Sequence, residues 1–203
     1  MLKRIICWLV SVMLTAGAVF AADSYLSQRA LAEKTVRLHV VANSDSDADQ
    51  EQKLRVRDAV LEAAAALTAD CRSASEARQA LANGASKITA AAQKVLREEN
   101  SPYSVRVTVQ TEQFETRRYD TFTLPAGEYP SLRVTIGAGE GHNWWCVVFP
   151  SLCTAATGDG VERLAASGGF SDEESELVVG GEEKYVLRFK TLEWLQAFLA
   201  LFD

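Results

Sequence analysis

Apolar residues recur every three or four positions in the first half of this chain, which is the spacing of amphipathic helices. The pattern predicts a short helix over residues 23–34 and a longer one that begins at Ser46. A further helix is expected from Ser73 to Val95, with a kink at Gly84.

Strict alternation of apolar and polar residues, the period of a β-strand, marks five other segments. The strands are expected over residues 36–41, 103–110, 117–124, 132–136 and 143–149. Because short loops join the last four, we expect them to be antiparallel neighbours. The predicted fold class is α+β, a mostly antiparallel sheet with helices packed on one face, preceded by an N-terminal signal or anchor helix.

The last quarter of the chain is expected to be less regular. Residues 154–183 are rich in Gly, Ser, Asp and Glu, which predicts a mobile excursion. Alternation returns over residues 185–189 as a strand, and residues 192–202 have the pattern of an amphipathic helix.

The N-terminus has the layout of an export signal. Lys3 and Arg4 precede an uncharged, apolar run that ends at Phe20, and small residues provide cleavage options. Residues 1–21 are therefore predicted to be a secretory signal, or a membrane anchor if it is not cleaved, and residues 22–203 a single α+β domain. Both alternatives place the domain outside the cytoplasm.

The net charge of the predicted domain excludes some classes of binding partner. Without the two basic residues of the signal, 19 Lys and Arg stand against 27 Asp and Glu, a formal net charge of −8. Nucleic acid and anionic lipid surfaces both need a basic face, so neither is expected as a partner. Membrane contact is expected only through the N-terminal segment.

The acidic run Asp45, Asp47 and Asp49 resembles the start of a calcium-binding loop. Such a loop needs glycine at its sixth position and glutamate at its twelfth, where this chain has Gln50 and Val56. Carboxylates in a first helical turn stabilise that helix, and this is the role we expect for them.

The glycine-rich segment 137–141 is followed by a predicted strand and not by a helix, so we expect a hairpin loop and not a phosphate-binding loop. The chain also lacks Cys-x-x-Cys and HExxH motifs. Neither a metal nor a cofactor is expected.

Three cysteines, Cys71, Cys146 and Cys153, lie beyond the signal, and the proximity of the last two makes them a candidate disulfide. The alternative is a secreted thiol-dependent hydrolase that uses Cys146 with a histidine. On an extended strand the Cα atoms of His142 and Cys146 would be about 13 Å apart, so His39 would have to supply the base.

The adjacent residues Trp144 and Trp145 should face opposite sides of the predicted strand. Trp144 is expected on the side of Cys146, and Trp145 on the side of Val147. One ring would fill the core under the helices, and the other would need a cover or a partner.

Three segments resemble the stage II sporulation protein R family of endospore-forming bacteria: RLHVVANSDSDADQEQKLRVRDAVL (37–61), LPAGEYPSLRVTIGAGEGHNWWCVVFPSLC (124–153) and YVLRFKTLEWL (185–195). The resemblance implies a signalling protein and not an enzyme. Family members are secreted across the forespore membrane into the intermembrane space. There they activate a membrane-embedded aspartic protease in the facing mother-cell membrane, which processes a sigma-factor precursor.

The partner-binding residues are expected where the family-like segments form strand ends, because loops that meet at one sheet edge make a compact recognition surface. A purely structural role for each stays an open alternative. The candidates are His39, Asn43, Ser44, Asp45, His142, Asn143, Trp144 and Trp145.

Overall fold

The computed structural model describes residues 2–154 and 158–179, and it shows an α+β fold with an apolar N-terminal helix. The strand predicted at 185–189 and the helix predicted at 192–202 lie outside the described residues. The elements are α1 (Leu2–Glu33), β1 (Val36–Val41), α2 (Asp47–Thr68), α3 (Ala74–Asn83), α4 (Ala85–Glu98), β2 (Val105–Phe114), β3 (Arg117–Arg118), β4 (Thr123–Leu124), β5 (Gly127–Ile136), β6 (Asn143–Phe149), a 3₁₀ turn (Leu152–Thr154), α5 (Gly158–Ser167) and α6 (Asp172–Val179).

Four strands form the main sheet in the order β2-β5-β1-β6. The β2–β5 and β1–β6 pairs are antiparallel, whereas β1 and β5 are parallel. The sheet is therefore mixed. The expectation that the last four strands are successive neighbours is wrong, as is the hairpin expected at residues 137–141, because β1 lies between β5 and β6 and the segment 117–124 lies outside this sheet. The parallel pair arises because α2, α3, α4 and β2 lie between β1 and β5 in the chain, and a crossover of that length can return the chain in the same direction.

The three helices α2, α3 and α4 pack on one side of the sheet, here called the helical face. Alternate residues of β1, Val36, Leu38 and Val40, point into this layer and are fully buried. Each such side chain contributes roughly 1.5–3 kcal/mol by leaving water. The helices contribute Val56, Val60, Ala64, Ala77, Leu81, Ile88, Ala92 and Leu96.

The kink expected at Gly84 is a complete break between α3 and α4. The Gly84 N–H closes α3 by donating to the carbonyl of Ala80 at 2.8 Å, and the Gly84 carbonyl accepts from Ile88 in α4. A Cβ at this position would collide with the Leu67 side chain of α2. Glycine thus allows α2 to approach the junction closely.

The opposite side of the sheet, here called the second face, also has a cover. The end of α1, the β3–β4 hairpin, α5 and α6 pack there, with Leu31, Leu124, Val161 and Phe170 buried around Val147. The pattern predicted helices on one face, and the structure adds this further layer. It exists because Trp145 and Val147 alternate onto this side.

Several boundaries differ from the predicted ones. β5 begins at Gly127 and not at residue 132, and β2 continues to Phe114 and not only to residue 110. The segment 117–124, expected to be one strand, is a hairpin of two-residue strands, in which Tyr119 stacks on Phe122 at 4.4 Å. Within the expected excursion 154–183, residues 158–179 form α5 and α6, because a few buried apolar residues suffice to hold short polar helices against the sheet.

The apolar helix α1 continues without interruption from the predicted signal into the domain. It is the one described helix that is long and apolar enough to cross a membrane. Its last turns are built into the fold, since Ser24 and Leu31 are fully buried and the Gln28 amide donates to the carbonyl of Ala126.

Candidate functional site

Two loops meet at one end of the sheet. Because β1 and β5 are parallel, the β1–α2 loop (residues 42–46) lies beside the β5–β6 turn (residues 137–142), and the antiparallel β6 begins at the same end. The resulting strand-end surface consists of Asn43, Ser44, Asp45, His142, Asn143 and Trp144.

Asn43 and Ser44 hold the β1–α2 loop in place through hydrogen bonds. The Asn43 amide donates to Oδ2 of Asp49 at 2.9 Å, and the Ser44 hydroxyl donates to the same oxygen at 2.6 Å. The Asn43 side-chain oxygen accepts from the Ala138 N–H at 2.9 Å, which ties the loop to the β5–β6 turn. Hydrogen bonds from Ser44 and Asn43 lower the pKa of Asp49.

The helix that follows is capped as its sequence predicted. The Ser46 hydroxyl accepts from the Asp49 N–H at 3.2 Å, and Asp47 and Asp49 lie in the first turn of α2. Asp45, in contrast, takes no part in the cap and is directed at the neighbouring turn.

Asp45 and His142 are the exposed centre of the surface. Oδ1 of Asp45 accepts from the His142 backbone N–H at 2.6 Å and lies 2.5 Å from Nδ1 of its ring. The side chains are 54% and 79% exposed, so the pair remains open to a partner. The His142 N–H and then its side chain lower the pKa of Asp45. An exposed pair of this kind adds little stability, which favours a recognition role.

Lys53 stabilises the β5–β6 turn from the buried side. This role was not predicted from sequence. Its ammonium group is buried and donates to the His142 carbonyl at 2.9 Å, and burial lowers its pKa. The available signal was its position on the buried stripe of α2, with Val56 and Val60 following at helical spacing. Gly141 permits the close approach, because a Cβ there would collide with the Ser44 carbonyl.

Trp144 lies on the helical face at the rim of the strand-end surface. Its exposed fraction is 37%, and the Arg57 guanidinium lies 4.3 Å from its ring centre. Outside α1, Trp144 and Leu54 are the exposed large apolar side chains in the described part of the chain. The ring at the predicted core position is therefore only partly covered.

Trp145 points to the second face and is largely enclosed by its neighbours. It stacks on His39 with ring centres 3.8 Å apart and meets Phe114 edge-on at 5.0 Å. The Arg117 guanidinium covers the ring at 5.4 Å. Trp145 thus contributes mainly to packing, and the cover predicted for one of the two rings is supplied by the protein itself.

His39 is separated from the exposed surface, with only 4% of its area accessible. Its Nδ1 lies 3.3 Å from Oε1 of Glu112, which also accepts from Arg133 at 2.7 Å. Burial raises the pKa of Glu112, but hydrogen bonds from Ser131 and Arg133 and the nearby His39 outweigh it and lower that pKa overall. Glu112 was not among the residues predicted from sequence. It lies beside His39 because β2 pairs with β5 and β5 pairs with β1.

The pKa of His39 predicts a pH dependence of stability. Burial lowers this pKa from 6.5, and the Asn143 side chain and Glu112 only partly oppose the shift. Since the unfolded chain binds the proton more readily, stability should be complete above pH 6.5 and decline as the pH falls towards the folded-state value. Urea unfolding at pH 7.5 and 5.5 should show a larger loss for the wild type than for His39→Gln. Equal losses of unfolding free energy in the two proteins would show that His39 does not cause the pH dependence.

Cys146 and Cys153 are joined by a disulfide with Cα atoms 6.1 Å apart. Cys146 is buried on the helical face, where it is paired with Leu38. His39 points to the second face, and His142 is bonded to Asp45, so neither imidazole is placed to activate this sulfur. Cys71 is free and partly exposed, and burial raises the pKa of its thiol.

A shallow depression of about 390 Å³ lies between Asp45, Arg117, Glu140, His142 and Trp145. In the described residues, no group of three or more His, Cys, Asp or Glu side chains is arranged to hold a metal ion. The groups exposed here donate and accept hydrogen bonds, and one of them is an aromatic ring. Protein–protein interfaces are commonly built from groups of these kinds.

Comparison with known proteins agrees with the resemblance in the sequence. The family described as stage II sporulation protein R (spore_II_R) matches residues 32–158, which include both loops of the strand-end surface. Stage II sporulation protein R of Bacillus subtilis (strain 168) is 35% identical over 155 residues, covering 73% of this chain and 69% of that protein. No solved structure matches the chain. The chain therefore belongs to the stage II sporulation protein R family and has a role in sporulation.

Proposed function

We propose that this protein is an exported sporulation signal that binds and activates a membrane-embedded aspartic protease, which then processes a sigma-factor precursor. The family resemblance supports this role. The apolar helix α1 suits export across the forespore membrane, either as a signal or as an anchor. The domain would then act in the intermembrane space and reach a protease in the facing membrane.

The observation that carries the proposal is the preorganised strand-end surface. Asp45, His142 and Trp144 are exposed together, while Lys53 holds the His142 carbonyl and Asn43 ties the β1–α2 loop to the Ala138 N–H of the β5–β6 turn. A surface that is already ordered before binding loses less entropy when the partner docks. A partly exposed tryptophan beside an arginine is also a common anchor in protein interfaces.

Co-expression in a non-sporulating host tests the proposal directly. The chain, the protease and the sigma-factor precursor are produced together, and precursor cleavage is followed by immunoblot with and without the chain. Cleavage should require the chain. His142→Ala should reduce cleavage roughly fivefold at equal amounts of folded protein, because an exposed interface contact of about 1 kcal/mol is lost.

Lys94→Ala is the matched control, since its side chain on α4 is 70% exposed and lies on an element that does not contribute to the strand-end surface. It should activate as the wild type does. Absence of cleavage with the wild-type chain would contradict the proposed function, and equal activity of His142→Ala would move the contact surface elsewhere.

A further inference from the structure

The first part of α1 is apolar on every side. Between Arg4 and Asp23 no residue is charged. Large apolar side chains are exposed at successive positions, which point to all sides of a helix, and they include Trp8, Leu9, Val10, Val12 and Met13. The most apolar part of the helix is 0% buried within the described protein. Since a helix that is apolar all round needs either a protein core or a membrane around it, the surroundings of this stretch are a membrane.

This stretch is longer than the apolar core of a secretory signal, which has roughly 7–15 residues. The apolar window of α1 has 18 residues, which is about 27 Å of helix and close to the roughly 30 Å of the hydrocarbon core of a bilayer. Lys3 and Arg4 precede it, and basic residues favour the cytoplasmic side of a span. The stretch therefore has the length and the flanking charge of a membrane span that leaves the domain outside the cytoplasm.

Aromatic residues lie at both ends of the apolar stretch. Trp8 follows the basic residues, Tyr25 follows Asp23, and both aromatic side chains are exposed. Their Cα atoms are about 26 Å apart along the helix axis at 1.5 Å per residue. Tryptophan and tyrosine are enriched at the two membrane–water interfaces, which have a similar separation. Because Leu26 is exposed beside Tyr25, the outer interface reaches the part of α1 that packs in the domain.

The domain follows the apolar stretch without a break in the helix. α1 is continuous over residues 2–33, so the cleavage options after Ala18 and Ala21 both lie inside it. Ser24, less than two turns beyond either option, is fully buried. A peptidase binds the residues around its cleavage site in an extended form. Cleavage would therefore require this helix to unwind directly beside its contacts with the domain.

The register of β5 shows where α1 meets the domain. The Gln28 amide donates to the Ala126 carbonyl, and a Cβ at the adjacent Gly127 would collide with this amide. Ser131 is the partner of Arg37 at the start of β1. Ala126 therefore lies about 16 Å further from the strand-end surface than this pair, at 3.3 Å per residue. Since Gln28 precedes the end of α1, the helix leads away from the strand-end surface, which is about 33 Å from the Ala126 contact.

We infer that α1 is not cleaved and remains in the membrane as an anchor, with the domain against the outer membrane surface and the strand-end surface at its far end. The partner of the apolar stretch is the hydrocarbon core of the bilayer. Retention of α1 goes beyond the proposed function and does not depend on the protease.

Production of the full chain alone in the non-sporulating host tests retention. After an alkaline carbonate wash, at least tenfold more chain should be in the membrane pellet than in the extract, and its intact mass should include residues 2–21. Deletion of residues 10–14 provides the matched control, because it shortens the apolar stretch to the length of a signal and keeps both cleavage options. This variant should be cleaved and released. A wild-type chain that is released, or whose mass begins after Ala18 or Ala21, would overturn the inference.

Energy transfer to labelled lipid tests the orientation of the domain. In proteoliposomes of a Cys7→Ser, Cys71→Ser chain, a donor dye is attached through Glu128→Cys or through His142→Cys, both at exposed positions of the domain. Glu128 lies beside the Ala126 contact and His142 in the strand-end surface, so transfer to acceptors in the outer leaflet should be at least twofold more efficient from position 128. Equal transfer from the two positions would overturn the inferred orientation.

Discussion

Trp144→Ala should weaken binding to the protease about 30-fold, roughly 2 kcal/mol, and leave the melting temperature nearly unchanged. The ring is 37% exposed, and the contact that covers it is the Arg57 guanidinium at 4.3 Å. Little packing is therefore lost from the free protein when the ring is removed. The complex, in contrast, loses the aromatic anchor at the rim of the strand-end surface.

Trp145→Ala should have the opposite effect and lower the free energy of unfolding by about 2–4 kcal/mol. Its ring stacks on His39 at 3.8 Å and meets Phe114 at 5.0 Å, so truncation leaves a cavity on the second face. Activation by this variant should fall only as far as the folded fraction does.

Both variants are compared by urea unfolding and by titration of the solubilised protease with each purified chain. Equal losses of stability at the two positions would make both rings core residues and would move the anchor away from Trp144. A normal affinity of Trp144→Ala in a folded protein would have the same consequence.

Replacement of Cys146 or Cys153 by serine should cost about 2–3 kcal/mol of unfolding free energy. The disulfide closes a short loop between residues seven positions apart, and this constraint on the unfolded chain is lost in either variant. Signalling should decrease in proportion to the unfolded fraction. Cys71→Ser is the control, since this cysteine is free and only partly buried, and its change should cost less than about 1 kcal/mol.

The thiol-hydrolase hypothesis predicts a different result for the same variants. Cys146→Ser would then abolish activity in a fully folded protein, and a thiol-reactive probe would label Cys146 in the wild type. The structure disagrees with the expected labelling, because Cys146 is buried and bonded to Cys153. Mass spectrometry of the labelled, unreduced chain separates the two hypotheses.

Local features of the fold were predictable because a short window of sequence determines them. The cap at Ser46 and the alternation of 143–149 each depend on hydrogen bonds or side-chain directions within a few residues. The opposite directions of Trp144 and Trp145 follow from the same alternation. At Gly84 a kink was predicted, and the structure has a complete break between two helices. The prediction of a single strand over residues 117–124 was wrong, because the structure has a hairpin there. A tight turn and a continued strand differ little in their pattern of apolar and polar residues.

The candidate site was predictable only in part. The residues of the two strand ends were selected from sequence, but Lys53, Arg57, Glu112 and Arg117 were not. Each of these four side chains acts on a residue of another element, and no local pattern encodes such a contact. His39 and Trp145 were placed in the surface by sequence, whereas burial assigns them to its support.

The sequence by itself determined the periods of the helices and strands, the apolar N-terminus and the family. The tertiary structure decided that β1 and β5 run in parallel, which brings Asp45 and His142 together across 97 residues of chain. It also decided which ring of the tryptophan pair is covered. The physical reason is that strand order and side-chain cover depend on contacts between distant segments, and these are formed only when the whole domain packs.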